Sequence, residues 1–329
     1  MASPKTGIKS ARKTSAKAQP PASSGKNKMM LWIGVLVLFA VIAEVKMMNG
    51  PKESGAFTVQ IASQFTGDDQ PCGAFDAYDV VKVGADRLAL SDRDRILLFD
   101  LKGMFVKAVT QKQAGHPKFN ELSNMSADTK GHFYVMDAWN SLIRGFDLDG
   151  RPTVKMPVPQ SYGPRGVAWD NDNFYIADTG THEIKKLSPD GTLLATIGHQ
   201  GAEKGAFSNP DAVVVDGQGN IFVADSDNHR VQELDPQGKF LRKFDVGERV
   251  ANIAVDSQGR VFASSLEGDF VKVFDKDGKD IGKVTEAGKP DRIHSLKGLT
   301  LLDNGDIAAS SHNKVVILHP VPAGQMPVK

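Results

Sequence analysis

The sequence predicts an all-β fold, a six-bladed β-propeller, preceded by a disordered basic tail and one transmembrane helix. Three observations support this prediction. Short valine-rich runs alternate with turn residues, and 32 of the 329 residues are glycine. A unit of four such runs recurs along the chain. The last unit has three runs, and a spare run precedes the first unit, which predicts a closed ring of sheets.

The first 48 residues differ in composition from the rest of the chain. Residues 1–28 contain seven Lys and Arg, no acid and a Pro-Pro-Ala-Ser-Ser-Gly run, which predicts a disordered cytoplasmic tail. Residues 29–48 begin with fifteen uncharged residues, Met29–Ala43, and are predicted to form a transmembrane signal anchor with Trp32 at the interface. A cleaved signal peptide ending at Ala43 and a buried core helix are the alternatives.

The predicted anchor places the propeller outside the cytoplasm. We expect a single-pass protein of the cytoplasmic (inner) membrane with its N-terminus in the cytoplasm; an organellar membrane is the alternative. A linker (49–54), the propeller (55–322) and a C-terminal tail (323–329) follow. The formal net charge is +1; residues 1–49 carry eight Lys and Arg and one Glu, or +7, which leaves −6 for the rest. Nucleic-acid binding is not expected of this acidic domain.

The central unit, Phe207–Asp245, shows the repeat most clearly. Its predicted strands are Ala212–Val215, Ile221–Ala224, Val231–Leu234 and Phe240–Phe244. The turn before the last strand, Asp235-Pro236-Gln237-Gly238, has counterparts in four other units, and the turn glycines are spaced 47, 41, 47 and 40 residues apart. Glycine suits such a turn because it adopts positive φ at low cost.

A second repeated feature is an aspartate at the end of the second strand of a unit. These residues are Asp92, Asp137, Asp178 and Asp225, with Ser265 and Ser311 in the last two units. A ring of carboxylates suggests a functional site, but recurrence with the repeat favours a role in the fold, in which each carboxylate accepts loop amides. The last unit, Leu296–His319, is expected to be completed by Ala56–Ser63, which would pair beside Lys314–His319.

The units resemble NHL repeats. The resemblance rests on the run Asp225-Ser226-Asp227-Asn228-His229-Arg230-Val231, on a looser copy at 178–184 and on the same spacing at 137–143. It implies a six-bladed propeller, a fold that carries binding modules and enzymes alike. The single cysteine, Cys72, then falls at a junction between blades. A small buried residue is expected there; an intermolecular disulfide or lipid attachment is the alternative.

Alignment of the units places two rings of residues at the start of the innermost strands, at one end of the channel. The first ring is Tyr78, Ser123, Arg165, Asp211, Ala251 and Lys297, and the second is Asp79, Asn124, Gly166, Ala212, Asn252 and Gly298. From these rings we predict a ligand-binding set at the channel mouth, consisting of Tyr78, Arg165, Asp211, Asn252 and Lys297. Trp139, in a loop, is either an exposed anchor for a partner or a cover for a neighbouring blade.

A metal site is the alternative use of the same rings. Four members, Asp79, Asn124, Asp211 and Asn252, offer oxygen ligands suited to calcium. The mixture is similar to that of calcium-dependent lactonase-type propellers, whose sites also contain a glutamate that these rings lack. The eight histidines do not fall in one ring, which argues against a zinc lyase of the peptide-amidating type. We therefore predict no catalytic residue and no cofactor, with calcium as the alternative.

These features together predict a membrane-anchored platform that binds a protein, peptide or glycan on the extracytoplasmic side. The prediction favours binding over catalysis and leaves enzyme activity open. The first alternative is a metal-dependent hydrolase or lyase with its site at the channel mouth. The second alternative is a structural subunit of a membrane complex. The sequence contains no Gly-x-Ser-x-Gly nucleophile motif.

Overall fold

The structure, a computed structural model, describes residues 57–170, 172–284 and 296–322. In this part of the chain, six four-stranded antiparallel sheets form the blades of a propeller, which confirms the predicted fold class. The predicted tail and anchor (1–48) and the predicted C-terminal tail (323–329) lie outside the described residues. No helix within the described ranges is both long and apolar enough to cross a bilayer.

Five blades each consist of four strands that follow one another in sequence, from the channel outwards. Blade 1 contains β2 (Ala77–Val83), β3 (Arg87–Asp92), β4 (Arg95–Asp100) and β5 (Phe105–Val109). Blade 2 contains β6 (Leu122–Ala127), β7 (Phe133–Asp137), β8 (Leu142–Phe146) and β9 (Pro152–Pro157). Blade 3 contains β10 (Gly166–Trp169), β11 (Phe174–Asp178), β12 (Glu183–Leu187) and β13 (Leu193–Ile197). Blade 4 contains β14 (Pro210–Val215), β15 (Ile221–Asp225), β16 (Arg230–Leu234) and β17 (Phe240–Asp245). Blade 5 contains β18 (Val250–Val255), β19 (Val261–Ser265), β20 (Val271–Phe274) and β21 (Asp280–Val284).

Blade 6 joins the two ends of the propeller. It contains β22 (Leu299–Leu301), β23 (Ile307–Ser311), β24 (Lys314–Pro322) and, as its outer strand, β1 (Phe57–Thr66). The pairing of β1 with β24 runs from Phe57 opposite Pro322 to Thr66 opposite Lys314. The predicted closure is therefore confirmed, and it leaves no blade with an unpaired end at the seam. A short helix, α1 (Gln111–Ala114), links blades 1 and 2.

The core of the propeller lies between the blades. The described residues form six clusters of buried apolar side chains, and each cluster combines residues from two adjacent blades. At the seam, for example, Leu97 and Phe99 of blade 1 pack in one cluster with Val315 of blade 6. Half-buried Cys72 packs at the edge of this cluster, so the structure places it at the predicted junction, and burial raises the pKa of its thiol. Because each blade buries its apolar faces against two neighbours, stability depends on a complete ring.

The repeated aspartates have the predicted role in the fold. Each accepts a backbone amide from the linker that precedes its own blade; the donors are Asp76, Asn120, Tyr162 and Ser208, at 2.7 to 3.0 Å. Each also forms an ion pair with a basic residue of the next strand of its blade. These basic residues are Arg95, Arg144, Lys185 and Arg230. The basic partners were not predicted from the sequence. The Asn228 side-chain amide also donates to Asp225, which gives the Asn of the repeat a structural role.

The two ends of the channel differ. We call the end at which the inner strands begin the loop face, because it carries the linkers between blades and the loops after the repeated aspartates. We call the other end the turn face, because it carries the tight turns such as Asp235–Gly238. Strand β1 ends at Thr66 beside Lys314 on the loop face and begins at Phe57 on the turn face. The chain therefore enters the propeller at the turn face.

Candidate functional site

The loop face contains a pocket of about 440 Å³ beside the channel mouth. Its lining residues are Asp76, Tyr78, Arg93, Asp94, Phe119, Asn120, Glu121, Leu122 and Lys297. They come from the start of blade 1, from the loop between β3 and β4, from the linker between blades 1 and 2 with the first residue of β6, and from the segment before β22 of blade 6. Two predicted ligand-binding residues, Tyr78 and Lys297, are in this pocket.

Tyr78 is the centre of the polar contacts at the channel mouth. The Arg165 guanidinium donates a hydrogen bond to the Tyr78 hydroxyl at 3.1 Å, and its central carbon lies 5.9 Å from the ring centroid. The Lys297 ammonium lies 6.0 Å from the same centroid. Burial, together with the negative charge of Asp211, raises the pKa of the Tyr78 hydroxyl, which is therefore protonated at neutral pH. The ring thus contacts a cation from each of two other blades.

Asp211 joins the same cluster from blade 4. Its carboxylate lies 3.9 Å from Arg165 Nε and accepts a hydrogen bond from the Ser226 hydroxyl at 3.2 Å. Burial raises the pKa of Asp211 to about 6, although the charges of Arg165 and Arg249 and the Ser226 hydrogen bond act in the opposite direction. The structure therefore brings together four of the five predicted ligand-binding residues, namely Tyr78, Arg165, Asp211 and Lys297.

Asp76 also lines the pocket. It receives contacts from Lys297 at 3.2 Å, Arg93 at 3.0 Å and His312 at 2.8 Å. Burial alone would raise the pKa of Asp76, but the hydrogen bonds from Arg93, His312 and Lys297 outweigh it and lower the pKa to about 2. Asp76 therefore stays ionised and holds Lys297 over Tyr78.

The fifth predicted residue, Asn252, lies in a deeper layer of the channel. Its side-chain amide donates to Asp79 at 2.7 Å, and its own oxygen accepts the Ile253 amide at 2.7 Å. Asp79 also accepts the amides of Val80 and Met125, each at 2.7 Å. Burial nevertheless raises the pKa of Asp79 to about 8. These contacts tie the inner strands of blades 1, 2 and 5 together, so Asn252 is separate from the loop-face cluster.

The second cavity, of about 400 Å³, extends from this layer towards the turn face. It is lined by Asp79, Asn124 and Asn252 at the layer, and by inner-strand residues such as Val213 and Leu301 beyond it. The Asn124 side-chain oxygen is buried and has no hydrogen-bond partner within the described residues. It is the one acceptor of this layer that the fold leaves unused.

The four residues of the calcium alternative do not form one cage. The side-chain oxygens of Asp79 and Asn252 accept hydrogen bonds from backbone and side-chain amides. Asp211 instead contacts Arg165 and Ser226 at the loop face. A calcium ion needs six to eight oxygen ligands around one point. In the described ranges no group of three or more His, Cys, Asp or Glu side chains is arranged to hold a metal ion.

Trp139 lies on the loop face and is 55% exposed. Its indole N–H donates to the Glu121 carboxylate, and Glu121 accepts a second hydrogen bond from Arg165 at 3.0 Å. Of the two predicted roles, the exposure agrees with an anchor rather than a cover. Tyr162, which the sequence analysis did not single out, is 69% exposed on the same face.

The acidic and basic residues that surround the predicted ones were not predicted from the sequence. Asp76, Glu121 and Arg249 each immediately precede an inner strand, and Arg93 and His312 immediately follow second strands. Their position next to an inner or a second strand of the repeat was the one sequence feature that could have predicted them. The two rings were drawn from the predicted starts of the inner strands, so these residues of the linkers and of the loops after the second strands were left out.

Comparison with known proteins supports the fold and assigns the family. Residues 77–254 match the family model described as SMP-30/Gluconolactonase/LRE-like region. The chain belongs to this family. The match extends from the first strand of blade 1 into the first strand of blade 5, and so includes Tyr78, Arg165 and Asp211. The description of the SMP-30/gluconolactonase family names an enzyme, so the family includes catalysts. The finer resemblance to NHL repeats stays a prediction.

Solved structures similar to this SMP-30/gluconolactonase family member share its fold. A streptogramin B lyase is 12% identical, with a TM-score of 0.59 over 80% of this chain and 98% of that one. A protein of unknown function from Bacteroides caccae is 16% identical, with a TM-score of 0.52 over 64% of this chain and 81% of that one. A search of curated proteins gives no match. At these identities the likeness concerns the fold alone.

Proposed function

We propose that this propeller is a binding module whose ligand occupies the loop-face pocket. The observation that carries the proposal is the convergence of Tyr78 and Lys297, from two blades, on one pocket of about 440 Å³. Arg165 approaches from a third blade and donates hydrogen bonds to two of the pocket residues, Tyr78 and Glu121. A rigid ring holds these side chains in place before a ligand arrives, which lowers the entropic cost of binding. The ligand is a protein, peptide or glycan of the extracytoplasmic side, and residues 29–48 anchor the module in the membrane.

The proposal can be tested by affinity capture from envelope extract with the full-length protein. The wild type is expected to enrich a defined ligand, and Arg165→Ala and Lys297→Ala are expected to lose it. Leu194→Ala is the matched control, because Leu194 is 51% exposed on β13 and distant in the fold from the pocket. Equal capture by all four proteins, or by none, would reject the pocket as the binding site.

The second candidate is a metal-dependent hydrolase or lyase, as the gluconolactonase in the family description suggests. The observation in its favour is the unpartnered Asn124 oxygen beside Asp79. Against it, the four oxygen ligands are divided between two layers, so we derive no catalytic step from them. Metal analysis of the purified protein decides between the candidates. Stoichiometric calcium or zinc, with a thermal shift on its removal, would support the enzyme; neither metal and no shift would leave the binding module.

A further inference from the structure

The loop between β3 and β4 brings a carboxylate without a basic partner, that of Asp94, to the loop-face pocket. Asp94 lines the pocket and is exposed. It forms no ion pair with any described residue. The other charged residues of the lining are all paired: Asp76 with Arg93 and Lys297, and Glu121 with Arg165. The pocket therefore offers one free negative charge to a ligand.

Hydrogen bonds hold the backbone of this loop in place. The Asp94 carbonyl accepts from the side-chain amide of Gln111 at 3.1 Å, and the carbonyl of Arg93 accepts from the Leu122 amide at 2.9 Å. Gln111 begins α1 and Leu122 begins β6, so both donors belong to the segment that joins blades 1 and 2. Asp94 is thus placed at the pocket before a ligand arrives, which lowers the entropic cost of binding.

Another part of the lining offers hydrogen-bond donors. The Tyr78 hydroxyl accepts from Arg165 at 3.1 Å, and its own hydrogen has no acceptor among the described residues. The Lys297 ammonium has three N–H groups, and one of them donates to Asp76 at 3.2 Å. Asp76 also pairs with Arg93, so two cations share one carboxylate there. These donors suit the carbonyl oxygens of a ligand.

A ligand that fits both parts of the lining carries a cationic group for Asp94 and carbonyl oxygens for Tyr78 and Lys297. A peptide with a lysine or an arginine combines the two in one chain. The net charge of −6 on residues 50–329 also attracts a cationic ligand from a distance. A neutral glycan would gain nothing from the charge of Asp94.

We propose that the loop-face pocket binds a basic peptide segment, whose lysine or arginine side chain pairs with Asp94 and whose main-chain carbonyls accept hydrogen bonds from Tyr78 and Lys297. The inference rests on the proposed function and names its ligand class.

The test is a titration of the full-length protein in detergent with four pools of capped, fluorescently labelled heptapeptides. The central residue of a pool is Lys, Arg, Gln or Glu, and the flanking positions are randomised among uncharged residues. Fluorescence anisotropy reports binding. We expect the Lys and Arg pools to bind about fivefold more tightly than the Gln pool, the upper end for an exposed ion pair, and the Glu pool to bind most weakly. Rising ionic strength should reduce this preference.

Two variants of Asp94 show whether this carboxylate causes the preference. Asp94→Asn should bind the Lys and Gln pools equally, and Asp94→Lys should bind the Glu pool more tightly than the Lys pool. Asp172→Asn is the matched control: it makes the same change in net charge at an exposed aspartate in the turn between β10 and β11, on the turn face. It should keep the preference of the wild type.

Three results would overturn the inference. They are the absence of binding for all pools, equal affinities of the wild type for the Lys, Gln and Glu pools, and a preference that Asp94→Asn leaves unchanged. A glucosamine hexasaccharide, titrated in parallel, is the glycan arm. If it binds through Asp94 and the peptide pools do not, the ligand is a cationic glycan and the peptide is rejected.

The capture experiment with Arg165→Ala separates these failures from failure of the proposed function. An envelope ligand that the wild type captures and Arg165→Ala loses would keep the pocket as a binding site, even where the pools show no preference for a basic residue. If neither the capture nor the pools show binding, the proposed function and the basic peptide are both rejected.

Discussion

Replacement of Asp225 by alanine is expected to destabilise the propeller strongly, although this residue is outside the predicted ligand-binding set. Asp225 is fully buried and accepts hydrogen bonds from the Ser208 amide at 2.7 Å, from Asn228 at 2.9 Å and from Gln232 at 3.0 Å. It is also the counterion of buried Arg230, at 2.7 Å. Removal of one partner of a buried ion pair costs about 3 to 5 kcal/mol, because the other charge loses its counterion. We therefore expect a loss of about 4 kcal/mol in the free energy of unfolding.

The assay is urea unfolding at pH 7, followed by far-ultraviolet circular dichroism. Ser265→Ala is the matched control, since Ser265 occupies the same place in blade 5 and its removal should cost only about 1 kcal/mol. The double variant Asp225→Ala/Arg230→Met should recover part of the loss, because it removes the unpaired cation as well. A loss below about 1 kcal/mol for Asp225→Ala, or no recovery in the double variant, would contradict the reasoning.

Three further predictions concern the channel and the seam. The pKa of Asp79 is raised to about 8 in the folded state, so Asp79 lowers the stability of the wild type as pH rises from about 4 to 8. The stability of Asp79→Asn relative to the wild type should therefore improve between pH 5 and 8, by up to about 4 kcal/mol in urea titrations. A difference that stays constant over this pH range would contradict the assignment. Gly298→Ala should lose about 3 kcal/mol in the free energy of unfolding, because its Cβ would lie 2.3 Å from Asp79 Oδ1 and 2.6 Å from the Val80 nitrogen. Gly217→Ala is the control: its Cβ would meet nothing within 4 Å, so its stability should equal that of the wild type in the same assay. A chain that begins at Gly67 lacks β1 and should unfold at a lower temperature than one that begins at Gly50, as calorimetry can show; equal melting temperatures would mean that the seam does not stabilise the ring.

The repeat pattern was sufficient to predict the fold. The spacing of the turn glycines and the recurrence of aspartate after the second strand fixed the blade count, and the spare run before the first unit predicted the pairing of β1 with β24. These features are local, since a turn glycine or a hairpin aspartate acts within its own blade. The basic partners Arg144, Lys185 and Arg230 were missed because charged residues in strands usually face solvent, and the sequence does not show that these three are buried.

The candidate site could be predicted only in part. Alignment of the units placed Tyr78, Arg165, Asp211 and Lys297 in the first ring, and the structure brings these four together. It placed Asn252 in the second ring, and the structure puts that residue one layer deeper, beside Asp79. The predicted ligand-binding set combined residues of both rings, because the alignment gives the order of the rings and not the contacts that separate them.

The sequence by itself determined the number of blades, the order of the strands and the closure of the ring, because each follows from contacts within a unit or from the count of units. The tertiary structure alone decided which charges meet across the channel mouth and that Glu121 links Trp139 to Arg165. Most of these contacts join side chains from different blades, up to 221 residues apart in the sequence. Their geometry depends on the radius and tilt of the whole ring, which no single repeat encodes.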